Sequence, residues 1–367
     1  MHVPERIVLI CDPLLSEYGP LRPAILLAEG LMEKGLRVAM MSTTVSDKLQ
    51  AKLDLMGIET VNLGKKPLLK KNESIAWLEE WAREAAFGLN SHGAPRPDGV
   101  TLNFSNTLNL SAYAWYAQGP PTTTLDNMRN QLSIPYRTAY LLLSPLFKVF
   151  DVSLTRKIAD GCTRVVANSE YLRSIYGGFG VRADHVIYPP LNCDQFKPAA
   201  ASPSRDFALT YFGKETIFGL VKQALDAGVK IKAFGSKLAM VPRWVRQHPN
   251  LDCLGRVDDA ELVSLYSNAL FTFYPFTDEP FGYIPVESLA CGTPVMTFNK
   301  HGPRETVSDG RTGWLADDDT DLLRLTIRVW KSGYSGDVTK QCRESATRFD
   351  FRTIAKEWLA LLDGTCG

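Results

Sequence analysis

The stretch LFTFYPFTDEPFGYIPVESLACGTPVMTF, Leu270 to Phe298, spells out a strand, a loop, a short helix and a second strand. Leu270 to Tyr274 is an apolar run stopped by Pro275, whose nitrogen has no hydrogen to give a ladder. FTDEPFG is loop. A helix begins near Tyr283, with Pro285 in its first turn, where a missing N–H is no loss. VESLAC carries it on, Gly292 suits its left-handed end, and Pro294 forbids another turn. Val295 to Phe298 then reads as the next strand. Strands joined through a helix lie parallel, and a parallel sheet needs cover on both faces.

The same alternation runs outward from this stretch. Upstream lie strand Phe207–Tyr211, helix Ile217–Ala227, strand Val229–Phe234, helix Pro242–Gln247, strand Leu251–Leu254 and helix Asp259–Asn268. The N-terminal part repeats the theme. Strand Ile7–Ile10 ends at Asp12, a helical stripe runs from Ile25 to Met32, and Gly35 separates it from strand Val38–Met41. Helix Lys48–Met56, strand Thr60–Leu63, a helix around Ile75–Ala86, and strands at Val100–Phe104, Ala112–Tyr116 and Arg164–Ala167 follow. The segment KPAAASPSRD, 197–206, has no periodicity and reads as a linker. The expected architecture is α/β, with two doubly wound Rossmann-like domains, 1–196 and 207–345, facing each other across a cleft. The remaining residues, 346–367, form a C-terminal helix able to cross back to the first domain. Ligands of such sheets sit beyond the carboxyl ends of the strands.

The bulk properties exclude several classes. With 367 residues, 45% hydrophobic and 22% charged, the chain is long enough for two ordinary soluble cores. A formal net charge of +1 gives no field that would draw nucleic acid, and no such partner is expected. The seven cysteines are scattered, odd in number and never in CxxC spacing, which argues against a disulfide framework or a zinc site. Reduced, mostly buried thiols in a cytoplasmic protein are the expectation. MHVPERIVLICD has no signal-peptide pattern, and no apolar run reaches the ~18 residues of a membrane span. AYLLLSPLFKVFDVSL, 139–154, comes nearest, broken by Pro145, Lys148 and Asp151. Arg129, Arg137, Arg156 and Lys157 surround it. Such a segment suits either a core helix with solvated charges or a helix lying on a membrane surface.

The chemistry concentrates around Glu279 and Glu287. Gly282 to Ile284 lie at a helix N-terminus fed by a strand end, where N–H groups and the positive end of the helix dipole favour a phosphate. On one helix the two glutamates would be ~12 Å apart along the axis. That exceeds the ~5–9.5 Å of a glycosidase carboxylate pair, so two different tasks are expected. Glu287 is placed to accept hydrogen bonds from a ribose diol, and Glu279 to face the group beyond the phosphates. Taken alone, the pair has a plainer account, with Glu279 capping the helix and Glu287 on the surface.

The run from Glu279 to Leu315, EPFGYIPVESLACGTPV and GPRETVSDGRTGWL, resembles the retaining glycosyltransferases of the GT-B fold, family four. VVANSEYLRSIY from Val165, VIYPPLNCDQF from Val186 and YGPLRPAILLAEGLMEKGLRV from Tyr18 agree with it. The resemblance implies that Glu287 binds the ribose of a nucleotide sugar and that Glu279 lies at the transferred sugar as the catalytic-site carboxylate. It implies that the amides of Phe281, Gly282, Tyr283 and Ile284 contact sugar and diphosphate. Lys214, in YFGKETIFG, matches one of two cations that the family places on the diphosphate. Phe218 stands where the second belongs, and Arg256 or Lys300 are its candidate substitutes. Ser236 in FGSK, with Arg256 and Val257 in LGRVDD, matches loops around the base, and Gly19 matches a glycine near the phosphates. Many relatives carry a histidine where this chain has Gln118. Gln118, Tyr18 and Asp126 are the acceptor-side candidates. His2, His92, His185, His248 and His301 are not in matching positions.

The implied activity is transfer of a sugar from a nucleotide diphosphate sugar, UDP- or GDP-linked, to a hydroxyl of a glycan, lipid-linked or small-molecule acceptor. No further cofactor and no metal are expected, since no DxD cluster follows a strand of the first domain. The expected location is the cytoplasm, with peripheral contact to the inner membrane face. A non-catalytic sugar-nucleotide or glycan-binding protein on the same fold is the alternative, supported by Gln118 and Phe218. A nicotinamide dehydrogenase would need GxGxxG after the first strand, where this chain reads CDPLLSEYG.

Overall fold

The computed structural model describes residues 5–15, 19–65, 68, 73–95, 97–128, 134–199, 203–213, 215–236, 240–276 and 278–364. The chain divides into two compact units, Met1–Pro190 with Phe351–Gly367, and Leu191–Asp350.

The first unit contains β1 (Arg6–Ile10), α1 (Arg22–Met32), β2 (Arg37–Ser42), α2 (Asp47–Leu55), β3 (Glu59–Asn62) and α3 (Glu73–Phe87). It continues with β4 (Val100–Asn103), β5 (Ala112–Ala117), α4 (Pro121–Met128), α5 (Ile134–Asp160), β6 (Cys162–Ala167), α6 (Glu170–Gly178) and β7 (His185–Val186). Among the described residues its sheet has the order β3-β2-β1-β4-β5-β6-β7, parallel throughout. Ile7 registers with Val38 on one side and Val100 on the other, so β1 is central and its VLI run is buried on both faces.

The second unit contains β8 (Ala208–Tyr211), α7 (Phe218–Asp226), β9 (Ile231–Phe234), α8 (Arg243–Arg246), β10 (Leu251–Gly255), α9 (Asp259–Asn268) and β11 (Thr272–Tyr274). It continues with α10 (Tyr283–Ala290), β12 (Val295–Phe298), α11 (His301–Thr306), β13 (Gly313–Ala316), α12 (Asp319–Ser332) and α13 (Asp337–Ala346). Its sheet runs β10-β9-β8-β11-β12-β13, again parallel. Two doubly wound parallel sheets with helices are therefore present, as the alternation predicts.

The joints between the units have local causes. Leu191 N–H donates to Phe349 O at 2.7 Å, and the Arg343 guanidinium donates to the carbonyls of Cys193, Phe196 and Ala290 at 2.8–3.1 Å. These bonds hold 191–196 to the second unit, just ahead of the segment 197–206. The last helix, α14 (Phe351–Asp363), packs in the first unit. Its Trp358 is buried against Phe104 and Tyr116, with ring centroids 5.5 Å away in each case. A Cβ on Gly30 of α1 would stand 2.8 Å from Ala355 Cβ and from Phe351 O, so the two helices meet where α1 has no side chain.

The apolar segment 139–154 lies within helix α5, and a helix is what both of its readings require. Helix α5 runs straight through Pro145, because loss of one hydrogen bond in a long helix does not outweigh the packing of its inner face. Leu154 and Ile158 are buried, whereas Leu142 is 77% and Val149 is 63% exposed. No helix among the described residues is long and apolar enough to cross a membrane. Burial pushes the Cys193 and Cys342 thiols up to about 12, which keeps them unreactive.

Candidate active site

In the second sheet the winding reverses between β8 and β11. A parallel sheet binds its ligands beyond the carboxyl ends of the strands at such a reversal. Strand β8 leads there into Phe212 and Gly213, and β11 leads into the loop that carries Glu279.

Helix α10 follows from its sequence. Its N-cap, Gly282, has φ +94°, a conformation that favours glycine, and Pro285 falls in the first turn. At the other end Gly292, φ +82°, donates to Leu289 O and Thr293 N–H donates to Ser288 O, both at 2.9 Å. This is the paired ending that a left-handed glycine permits. The helix is therefore short and stopped at both ends.

Glu279 is half-buried with both oxygens engaged. Oε1 accepts the Gly282 N–H at 3.1 Å and Oε2 accepts the Tyr274 hydroxyl at 3.0 Å. Burial pushes this carboxyl above its usual range, against those hydrogen bonds, and the neighbouring Glu215 carboxylate adds to the rise. Tyr274 stacks on Phe276 at 4.1 Å, and Phe276 lies 6.1 Å from Tyr211, which makes an aromatic wall beside the carboxylate. Glu287, inside α10, is 4% exposed and accepts the Tyr266 hydroxyl of α9 at 3.0 Å. Glu287 is thus no surface residue, while Glu279 does cap the helix end. Their hydrogen-bond partners differ.

The loop before α10 is held by residues far along the chain. Asp278 N–H donates to His301 Nδ1 at 3.2 Å, and Gly302 N–H donates to Glu279 O at 2.9 Å. Asp278 and His301 both have left-handed backbones, φ +55° and +57°. A Cβ on Gly302 would stand 2.4 Å from Pro280 O and from Phe281 Cα, so only glycine fits there.

The other expected residues of this unit reach the same sheet edge. Ser236 follows β9 and is exposed; Arg256, exposed, and Val257, half-buried, follow β10. Gly235 N–H donates to Gly255 O at 2.7 Å and ties those two strand ends together. Phe281, Gly282, Tyr283 and Ile284 form the entry to α10. Phe218 packs its ring 5.3 Å from Phe212, inside the unit. Lys300 is exposed, its Nζ 4.4 Å above the Phe298 ring. Lys214 and Tyr18 lie outside the described residues.

Gly19, Gln118 and Asp126 belong to the first unit. Gly19 opens a short 3-10 turn, and a Cβ there would meet nothing within 4 Å. Gln118 follows β5 and donates from its side-chain amide to Phe104 O at 2.8 Å. Asp126 accepts from the Tyr140 hydroxyl at 2.9 Å and pairs with Lys148 at 3.3 Å, so it is bound to α5. Near the reversal of this sheet, Thr107 Oγ lies 2.8 Å from Asp12 Oδ1 and 3.1 Å from Glu80 Oε2. Burial pushes both carboxyls up. One hydroxyl hydrogen cannot serve both oxygens at once, so Thr107 donates to only one of the two carboxyls at a time. The sequence reading gives Tyr274, Tyr266, His301, Gly302 and Glu80 no role in the site. Only Gly302, in the GPRE turn, left a local mark.

Residues 245–348 match the family described as glycosyl transferases group 1. That segment contains Glu279, Glu287, Arg256, His301 and Gly302. The segment belongs to that family. The D-inositol 3-phosphate glycosyltransferase of Mycolicibacterium smegmatis is 30% identical over 193 residues, 44% of this chain and 43% of that protein. The chain thus spans less than half the length of this curated relative. Among solved structures, sucrose-phosphate synthase from Thermosynechococcus elongatus superposes with TM-score 0.68 at 17% identity, covering 98% of this chain and 99% of that one. The Anabaena HepE complex with UDP gives 0.67 at 16%, covering 97% and 99%. These likenesses establish the fold of the GT-B glycosyltransferases outside the group 1 segment as well as within it.

Proposed function

We propose that this protein is a retaining glycosyltransferase that moves a sugar from a nucleotide diphosphate sugar to an acceptor hydroxyl. The observation that carries the reading is Glu279. It stands at the tip of β11, held by Tyr274 and by the start of α10, at the reversal of the sheet and inside the group 1 segment. In this reading the start of α10 and Lys214 meet the charge of the diphosphate, and no metal ion is needed. Fixed dipoles aimed at a leaving group's charge act without reorganisation during the reaction. Glu287 takes the ribose in exchange for part of its contact with Tyr266. Ser236, Arg256 and Val257 border the base. UDP is favoured over GDP because the HepE complexes hold UDP and UDP-glucose.

The acceptor is assigned to the first unit, with Gln118 among its contacts. A cytoplasmic protein resting on the inner membrane face would present Leu142 and Val149 of α5 to lipid, with exposed Arg137, Lys148, Arg156 and Lys157 near the headgroups. A thermal-shift screen over UDP- and GDP-sugars tests the donor, because a ligand of the folded state alone raises its stability. No response to any of them would defeat the reading. Phe218, packed on Phe212 where a cation is expected, favours the non-catalytic alternative. Release of nucleotide diphosphate on incubation with a bound nucleotide sugar excludes that alternative.

A further inference from the structure

We propose that neutral His301 is a positioning residue for the loop that presents Glu279, holding it through the Asp278 N–H. The inference rests on the donor reading above for what the loop does, but not for how it is held.

Nδ1 of His301 accepts the Asp278 N–H at 3.2 Å. A ring nitrogen that accepts carries no proton, so the imidazole is neutral with its hydrogen on Nε2. Nε2 faces the Asp278 carboxylate at 3.8 Å, the side where an N–H is welcome. One residue further on in each segment, Gly302 N–H donates to Glu279 O at 2.9 Å. The two bonds form a clip between 278–279 and 301–302.

The clip holds strained backbone. Asp278 and His301 sit at φ +55° and +57°, a region that side chains enter only when their surroundings insist, and such strain gathers at functional sites. Pro303 adds a wall, its Cγ 3.4 Å from where a Cβ on Gly282 would be. Protonating His301 would set Nδ1–H against the Asp278 N–H and break one rung. Asp278 is then free to return to extended backbone, and Glu279 is the next residue.

Several charged groups surround the ring. The Asp278 carboxylate favours its cation, while Lys300 and burial oppose it; burial is the largest effect and holds the pKa below the ordinary 6.5. Arg304 follows one turn along α11, and the Glu279 carboxylate is engaged by Tyr274 and Gly282. With the folded pKa depressed below 6.5, the clip is intact at and above 6.5 and is lost as pH falls through the folded value.

The test uses the full chain as wild type, H301N and H301G. Asparagine tolerates left-handed backbone and offers a carboxamide oxygen that does not titrate; glycine tolerates it and offers no acceptor. UDP is titrated calorimetrically between pH 5 and pH 8. Dividing the wild-type affinity by that of H301N cancels the titration of UDP itself. We expect that ratio to fall by up to about tenfold per pH unit below the folded pKa, as one linked proton requires. H301G should bind about tenfold more weakly than wild type at pH 7.5, since it lacks the rung, with H301N restoring the affinity. A flat ratio, or H301G binding as tightly as wild type, overturns the proposal. Side-chain nitrogen NMR of the ligand-free protein should show the hydrogen on Nε2 at pH 7.5. Finding it on Nδ1 also overturns the proposal. If UDP binds none of the three at any pH, the donor reading fails, and the tautomer alone decides whether the clip exists.

Discussion

Replacing Gly302 by alanine should displace the Glu279 loop without unfolding the unit that carries it. A Cβ on Gly302 falls 2.4 Å from Pro280 O and Phe281 Cα and 2.5 Å from Phe281 N. Ordinary contact begins at 3.4 Å, so the two segments must separate by 3.4 − 2.4, about 1 Å. Each close atom is main chain, which cannot rotate away as a side chain would. The Gly302 N–H to Glu279 O bond, now 2.9 Å, would open with that movement. Misplacing a reacting group by about 1 Å costs on the order of 100-fold in rate, and overpacking of this kind about 1–3 kcal/mol in stability. The assay is kcat/KM with a nucleotide sugar that the wild type turns over, beside circular dichroism and thermal unfolding of both proteins. We expect a folded G302A variant with kcat/KM lowered about 100-fold. Gly19→Ala is the control for stability, because its Cβ would meet nothing within 4 Å and the unit should tolerate it. G302A with wild-type kcat/KM and unchanged unfolding would refute the claim that this close approach sets the loop.

Three further outcomes can be measured. Asp151 is 1% exposed with its carboxyl raised to about 6 from 3.8, so folding is disfavoured as pH rises through that interval. The full effect is (6 − 3.8) × 1.36, about 3 kcal/mol, of which about 2 falls between pH 4.5 and 7.5; urea unfolding should show D151N gaining that much on wild type across the range. Glu287→Ala should weaken nucleotide binding and cost about 1–3 kcal/mol of stability by depriving buried Tyr266 of this acceptor, while Glu287→Gln keeps most of the stability; calorimetry and unfolding separate the two effects. Leu142→Glu should lower sedimentation with anionic vesicles about tenfold and leave the melting temperature unchanged, since Leu142 is 77% exposed; equal vesicle binding would rule out α5 as the contact.

The sequence by itself determined what depends on near neighbours. Periodicity fixes strand or helix within a few residues, so the alternation, and with it two doubly wound sheets, was legible. Punctuation was legible too. Pro285, Gly292 and Pro294 bound α10 as their ring and left-handed preferences require, and the site edge follows from the strand that feeds it. Even there the margins shifted. The strand expected from Leu270 begins at Thr272, because packing rather than propensity settles an element's limits.

Only the tertiary structure decided what depends on distant residues. The order of strands, with β11 beside β8, is a matter of ladder pairing that periodicity does not encode. The return of α14 to the first unit is settled by Trp358 and by the missing side chain of Gly30. In the site, Glu279 depends on His301 and Gly302, which are remote in sequence and meet it only because β11 and β12 are adjacent. A histidine that matched no motif became intelligible once its ring nitrogen was seen to hold a strained peptide. Glutamates announce themselves through their type and spacing. The groups that aim them are chosen by the fold, because a hydrogen bond is set by distance in space and not by distance along the chain.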